Sequence, residues 1–429
     1  MLSRVVLFAC LLLPAINVNA YGVLNGLPPP EEVPLKRYIR KPGDPKAPSN
    51  PIVLVPGDGG TRLDANLTGK PDIVHYTCSR STKDYFDLWL NLESFVPVAI
   101  DCWVDNMRLE FNTTLQRSDN SPGVDVRVPD FGTTDSVEWL DPSKASQGNY
   151  FAYIADTLVQ WGYKKNKNLV AAGFDWRRSP LELDDFYVAL KSLIQRTYYY
   201  NHETPVVVIG HSMGNPIMNY FYHHYVDAAW KAQFLASHVS IAGAWGGSMQ
   251  IIKLFASGYN MDYYRIILPP SRLRAMQRSF TSSAFLFPHR GVWNENDAFA
   301  FTATRNYSVS NVEQFFKDVD YPLGIDQYKL ASQALIIDAP GIPVHCIYGT
   351  DVQTPETFTW AKGYFPDYQP TTVYGDGDGT VNIKSLRVCN EWAEKEPKGS
   401  VHELKSADHM SILRDVRTVE ILKKVLYGQ

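Results

Sequence analysis

Cysteine is scarce in this chain, at 5 among 429 residues, and apart from the adjacent His345 and Cys346 none has a close Cys or His partner at finger-like spacing. That argues against a structural zinc site. An excess of either charge is also missing: 41 Lys+Arg face 45 Asp+Glu for a net charge of -4, and no basic stretch is long enough to follow a phosphate backbone. Nucleic acid is not an expected partner. Beyond the N-terminus no run approaches the ~20 apolar residues that span a bilayer. Internal repeats are lacking too. What the chain does have is apolar mass, with 45% hydrophobic and 13% aromatic residues, including 25 Tyr, 20 Phe and 10 Trp. This rules out collagenous and disordered classes and supplies a large core. Composition leaves open whether some rings serve an apolar surface or pocket.

The first twenty residues, MLSRVVLFACLLLPAINVNA, hold one Arg, an apolar run from Val5 to Ile16, and Val18 and Ala20 placed for cleavage before Tyr21. This is the pattern of a secretory signal peptide, and the mature protein is expected to be soluble or peripheral. Cleavage removes Cys10 and leaves Cys78, Cys102, Cys346 and Cys389, an even set that predicts two disulfides in an oxidising compartment. Three connectivities are open, and pairing Cys78 with Cys102 and Cys346 with Cys389 closes the shortest loops. Asn66, Asn112 and Asn306 head N-x-S/T sequons without a middle proline and are candidate glycosylation sites.

Leu27 to Asn50 is Pro-rich, with PPPEEVP and KPGDPKAP, which excludes a helix or central strand there. The run Ile52-Val53-Leu54-Val55 follows and breaks at Gly57-Asp58-Gly59-Gly60, reading as a buried strand and a tight turn. Similar runs begin at Leu169, Val206, Val239 and Val344. Helix-length segments lie between several of them, at 150–161, 181–200, and from Pro216 to Tyr225 continuing towards Phe234. Non-alternating strands separated by helices predict a mainly parallel sheet covered on both faces. Two stretches break this rhythm and read as insertions: Thr77 to Asp130, and Gly246 to Ala334.

Val206 to Ile209 runs into Gly210-His211-Ser212-Met213-Gly214, a G-x-S-x-G sequence followed by a helix-length segment. A strand, a sharp glycine-flanked turn and a helix are the context in which Ser212 becomes a nucleophile. Such a serine needs a base, and an acid to orient that base, in the chain order Ser, Asp or Glu, His. His409, in the loop 406–410 before the last helix, is the candidate base. Asp376 and Asp378, in the Gly-rich loop YGDGDGTV, both remain open as the acid. The DGDG run also invites calcium, but it lacks the other EF-hand positions. The backbone N–H groups of Met213 and of Asp58, in the early glycine loop, are candidate oxyanion donors.

Longer segments carry a resemblance: PIVLVPGDGG at 51–60, DYFDLWLNLESFVPVAIDCWVDNMRL at 84–109, AAGFDWRRSP at 171–180, GHSMGNP at 210–216, GAWGGS at 243–248, YGDGDGTVN at 374–382 and DHM at 408–410. Over nearly all of the mature chain the sequence resembles the lecithin:cholesterol acyltransferase family, and within it the lysosomal phospholipase A2 branch. The resemblance implies an α/β-hydrolase fold with Ser212, Asp378 and His409 as the triad, Asp58 and Met213 at the oxyanion hole, and the shortest-loop cysteine pairing. It implies a signal peptide at 1–20, a Pro-rich arm at 21–50, and hydrolase core at 51–76, 131–245 and 335–429. A membrane-binding insertion falls at 77–130 and a cap over an acyl channel at 246–334.

In that insertion Leu88, Trp89 and Leu90 are expected to reach the lipid boundary, with an exposed Trp among aliphatic neighbours. The aromatic clusters at 85–103 and in the cap are expected to contact lipid. The implied activity is transfer of an acyl chain from a glycerophospholipid, through an acyl-enzyme, to water or to a lipid alcohol such as ceramide. No metal or cofactor and no obligate protein partner are implied, and residence is lysosomal or extracellular. The alternatives are a secreted phosphatidylcholine-sterol O-acyltransferase and a non-catalytic lipid-binding protein on a hydrolase scaffold.

Overall fold

The computed structural model describes residues 41–96, 99–144, 148–260 and 269–428. The expected signal peptide and the Pro-rich arm before Lys41 lie outside the described residues, as does 261–268 of the expected cap.

Six strands form the central sheet: β1 (Ile52–Val55), β2 (Leu169–Ala171), β3 (Val206–His211), β4 (Leu235–Ile241), β5 (Val344–Thr350) and β6 (Ser400–Lys405). Their order is β6-β5-β4-β3-β1-β2, and every neighbouring pair is parallel. Every residue of β1 and β3 is buried. This accounts for their unbroken apolar sequences, since a strand covered on both faces has no solvent side to alternate towards. The crossovers carry helices Ala152–Gln160, Asp184–Tyr200, Gly214–His224 and Ala228–Phe234. The last two are separate, although the sequence reads as one helix running on towards Phe234. Asp227 breaks it: its backbone is extended and its side chain accepts the Trp230 N–H, capping a new helix.

The two inserted stretches share sheets with the segments beside them. Leu63–Leu67 is the middle strand of a three-stranded antiparallel sheet with Phe86–Trp89 and Val124–Arg127, so this sheet crosses the expected 76/77 boundary. A disulfide joins Cys78 to Cys102 at a Cα separation of 5.4 Å. The second, Cys346 to Cys389 at 6.2 Å, ties β5 to a short helical turn at Arg387–Cys389. Within 246–334 the short strands Ala300–Phe301 and Asn306–Tyr307 join Thr354–Thr359 and Thr371–Gly375, so that sheet crosses the 334/335 boundary.

Two expectations about apolar exposure are corrected. Phe255, Phe287, Phe299, Phe315 and Phe316 of the cap segment are at most 1% exposed and pack edge to face or tilted against one another. They are a core, in which truncating one ring to alanine costs about 3–5 kcal/mol, and they present no surface to lipid. Leu88 is also buried, at 1% exposure, because it points inward from its strand, and its carbonyl accepts the indole N–H of Trp103 at 2.9 Å. Trp89 is half-buried rather than exposed. Of the sequon residues, Asn112 and Asn306 are exposed, whereas Asn66 is half-buried with its amide oxygen accepting the Thr82 hydroxyl.

Candidate active site

Strand β3 ends at His211, and the chain turns at once into helix Gly214–His224. The turn forces a positive φ of 53° on Ser212, a region a side chain enters only at a cost of about 1–2 kcal/mol. The turn is paid for by its anchors: Ser212 N–H donates to Ile241 O at 3.0 Å, and the Asn215 amide donates to the carbonyls of Ser212 and Ile241, both at 3.1 Å. Gly214 is required by close approach, since a Cβ there would lie 2.3 Å from the Pro56 carbonyl oxygen.

The loop after β6 brings His409 over this turn. Its Nε2 lies 3.0 Å from Ser212 Oγ and its Nδ1 lies 2.6 Å from Asp378 Oδ2. With Nδ1–H donating to the carboxylate, Nε2 presents its lone pair to the serine O–H. Asp378 is fully buried and its other oxygen accepts the N–H groups of Thr380 and Val381 at 3.0 and 2.7 Å. Burial disfavours the imidazolium of His409, but the charge and hydrogen bond of Asp378, with the charge of Asp408, outweigh it and hold the pKa above the ordinary imidazole value. Asp376 lies elsewhere in function: its Oδ1 accepts the N–H groups of Asp351 and Gly377 at 2.7 and 2.8 Å and so closes the loop after β5. The two carboxylates left open by residue type are thus distinguished by geometry.

The glycine loop after β1 abuts the serine turn. A Cβ on Gly57 would stand 2.6 Å from Ser212 Cβ and 3.2 Å from the Met213 nitrogen, so only glycine allows this contact. Asp58 follows Gly57 and Met213 follows Ser212, so the two expected oxyanion donors flank this contact in sequence. Asp58 is an exposed residue on this loop. Neighbouring protein atoms raise the pKa of its carboxyl above the ordinary carboxylate value by desolvation, against a hydrogen bond from the Gly59 N–H. Trp89 closes the outer side of the loop: its indole N–H donates to Gly59 O at 2.7 Å and its ring meets Trp103 and Trp176.

The model of the family described as lecithin:cholesterol acyltransferase matches residues 85–332 and 325–416. The chain belongs to that family. The family member named lysosomal phospholipase A and acyltransferase from Rattus norvegicus is 42% identical over 380 residues, which cover 88% of this chain and 90% of that protein. The Homo sapiens protein of the same name is 41% identical over 394 residues, 90% of this chain and 93% of that one. The phosphatidylcholine-sterol acyltransferase of Gallus gallus is 36% identical over 410 residues, 95% and 96% of the two chains. The parallel sheet and serine turn make this family member an α/β-hydrolase.

Sequence reasoning missed the polar groups behind the triad. Asn215, Tyr150, His211 and His238 are all buried. His238 Nε2–H donates to the Asn215 amide oxygen at 2.9 Å while Nδ1 accepts the Tyr222 hydroxyl at 3.0 Å, and burial lowers its pKa to about 3. The signal was faint: polar residues inside otherwise apolar strand and helix runs at the serine turn.

Proposed function

We propose that this chain is a serine-dependent phospholipase A1/A2 and lipid O-acyltransferase. Ser212 attacks the ester carbonyl of a glycerophospholipid while His409 accepts its proton, and Asp378 stabilises the imidazolium that forms. The N–H groups of Asp58 and Met213 stabilise the tetrahedral oxyanion. His409 then protonates the leaving lysophospholipid alcohol. In the second half, His409 takes a proton from water, giving a fatty acid, or from a lipid alcohol such as ceramide, giving an acylated lipid. One observation carries the reading: a continuous hydrogen-bonded path from Asp378 through His409 to Ser212, at 2.6 and 3.0 Å. Relatives named phospholipase A and acyltransferase at 42% and 41% identity support it, and they favour lysosomal over extracellular residence. The test is product analysis on phosphatidylcholine liposomes containing ceramide, with a parallel set containing cholesterol. Lysophospholipid, fatty acid and acylated ceramide are expected; cholesteryl ester as the sole transfer product would assign the sterol reaction instead.

Asp58 sets an expected pH dependence. A raised carboxyl pKa keeps Asp58 neutral to higher pH than an ordinary carboxylate, and on this mechanism its anionic form opposes the oxyanion that develops near its own N–H. Activity should therefore fall as pH rises through that raised pKa, while protonation of His409 removes the base on the acid side. Asp58→Asn keeps a neutral group at all pH values. It should raise the ratio of kcat/KM at pH 8 to that at pH 5 above the wild-type ratio. A pH profile with an unmoved alkaline limb would count against this role.

Membrane contact is reassigned within the same segment. Leu92 and Val96 are 46% and 43% exposed, just past half-buried Trp89 and Leu90, and form the apolar edge proposed to enter the lipid boundary. Leu92→Ser/Val96→Ser should weaken cosedimentation with phosphatidylcholine liposomes by roughly tenfold. Undiminished sedimentation of the folded variant would sink the assignment.

A further inference from the structure

The residue preceding Ser212 is enclosed by protein. His211 is fully buried, and its Nε2 lies 3.0 Å from the backbone carbonyl oxygen of His409. A carbonyl only accepts, so Nε2 carries the proton and Nδ1 must accept. Nδ1 receives the hydroxyl of Tyr150, whose oxygen in turn accepts the N–H of Gly57 at 2.9 Å. Tyr150 is itself 2% exposed. The path therefore runs from the residue before Asp58, through two buried side chains, to the peptide of the base. On the other side of its α-carbon, His409 is held by its N–H donating to Asp378 O at 2.8 Å.

We propose that Tyr150 and His211 are positioning residues that hold the oxyanion loop and the base loop in register around Ser212. The inference rests on the serine mechanism above and deepens it. Fixing Gly57 N–H fixes the Pro56–Gly57 peptide, one residue ahead of the Asp58 N–H that must meet an oxyanion. Fixing His409 O fixes the height of the imidazole over the serine. Neither side chain touches substrate. Burial keeps both groups neutral, holding the His211 imidazole well below and the Tyr150 phenol above their ordinary values, so the donor and acceptor directions do not reverse over the working pH range.

Two variants cut the path at different atoms. Tyr150→Phe removes one oxygen and leaves the ring, while His211→Gln leaves an amide N–H in reach of His409 O but removes the acceptor for Tyr150. Active sites are titrated with a fluorophosphonate, and kcat and KM for phosphatidylcholine are expressed per titrated site. Each variant should lose about 30-fold in kcat, with KM within about twofold, the size expected when an oxyanion donor or base is misplaced by a fraction of an ångström. The double variant should be no more than about twofold worse than the poorer single one, since both interrupt one path. Two outcomes overturn the proposal: kcat per titrated site within twofold of wild type, or losses that multiply in the double variant. A purely structural role would lower the titratable fraction and leave turnover per site intact. Failure of the serine mechanism has its own signature, a wild type that does not label or a Ser212→Ala that labels equally.

Discussion

Ser212→Ala should fold and bind phospholipid, yet lose about 10⁶-fold in kcat and all fluorophosphonate labelling. The size follows from chemistry: without Oγ there is no acyl-enzyme, and His409 can at best direct water at a carbonyl still held by the oxyanion donors, a residual worth about 10³–10⁴ over solution. Folding should survive because Ala keeps the Cβ against which Gly57 packs and adds no bulk at a positive φ already occupied by a β-carbon. The Ser212 backbone retains its bonds to Ile241 and Asn215. Thermal melting should shift little, and phospholipid hydrolysis by mass spectrometry should fall to background. Retention of even 1% activity would remove Ser212 from the mechanism.

Asp378→Asn is the second large effect, with an expected loss of about 10⁴ in kcat. The mechanism is specific to this loop. Oδ1 of Asp378 receives two backbone N–H groups, from Thr380 and Val381, so an asparagine must turn its amide oxygen towards them. Its NH₂ then faces His409 Nδ1 and donates to it, which forces the proton onto Nε2, where it points at Ser212 and blocks proton acceptance. Lost charge adds to the wrong tautomer. Asp376→Asn, two residues away, disturbs only the bonds to Asp351 and Gly377 and should stay within about tenfold of wild type. A larger loss at 376 than at 378 would reverse the acid assignment.

That contrast shows what the chain made legible. The parallel sheet could be read because β1 is apolar throughout and β3 is apolar up to its last two residues, Gly210 and His211, a pattern that double-sided burial produces. Ser212 and His409 could be read because strand-turn-helix context and chain order constrain them. Choosing between Asp376 and Asp378 required coordinates or kinship, since residues two apart in a glycine loop differ only in orientation. The small sheets were illegible for another reason. Leu63–Leu67 reads LDANL, with Asp and Asn inside a strand whose partners lie about 20 and 60 residues on, and no local preference announces such pairing. Leu88 reads as a lipid-facing residue because an apolar residue beside a tryptophan looks the same whether it points out, like Leu92, or in, like Leu88. The segment from Pro216 towards Phe234 reads as continuous although Asp227, as an N-cap residue, marks the start of a second helix.

The strand order has a consequence for biosynthesis. β1, β2 and β3 are neighbours, so the first half of the chain can assemble them and present Ser212 while the rest is still being made. The acid and base come from the last sixth of the sequence, and β6, which carries the base loop, docks on the far edge. A nascent or truncated chain thus holds a serine without its base. On the proposed mechanism, such a chain lacks hydrolytic activity towards nearby phospholipid until its C-terminal segment folds.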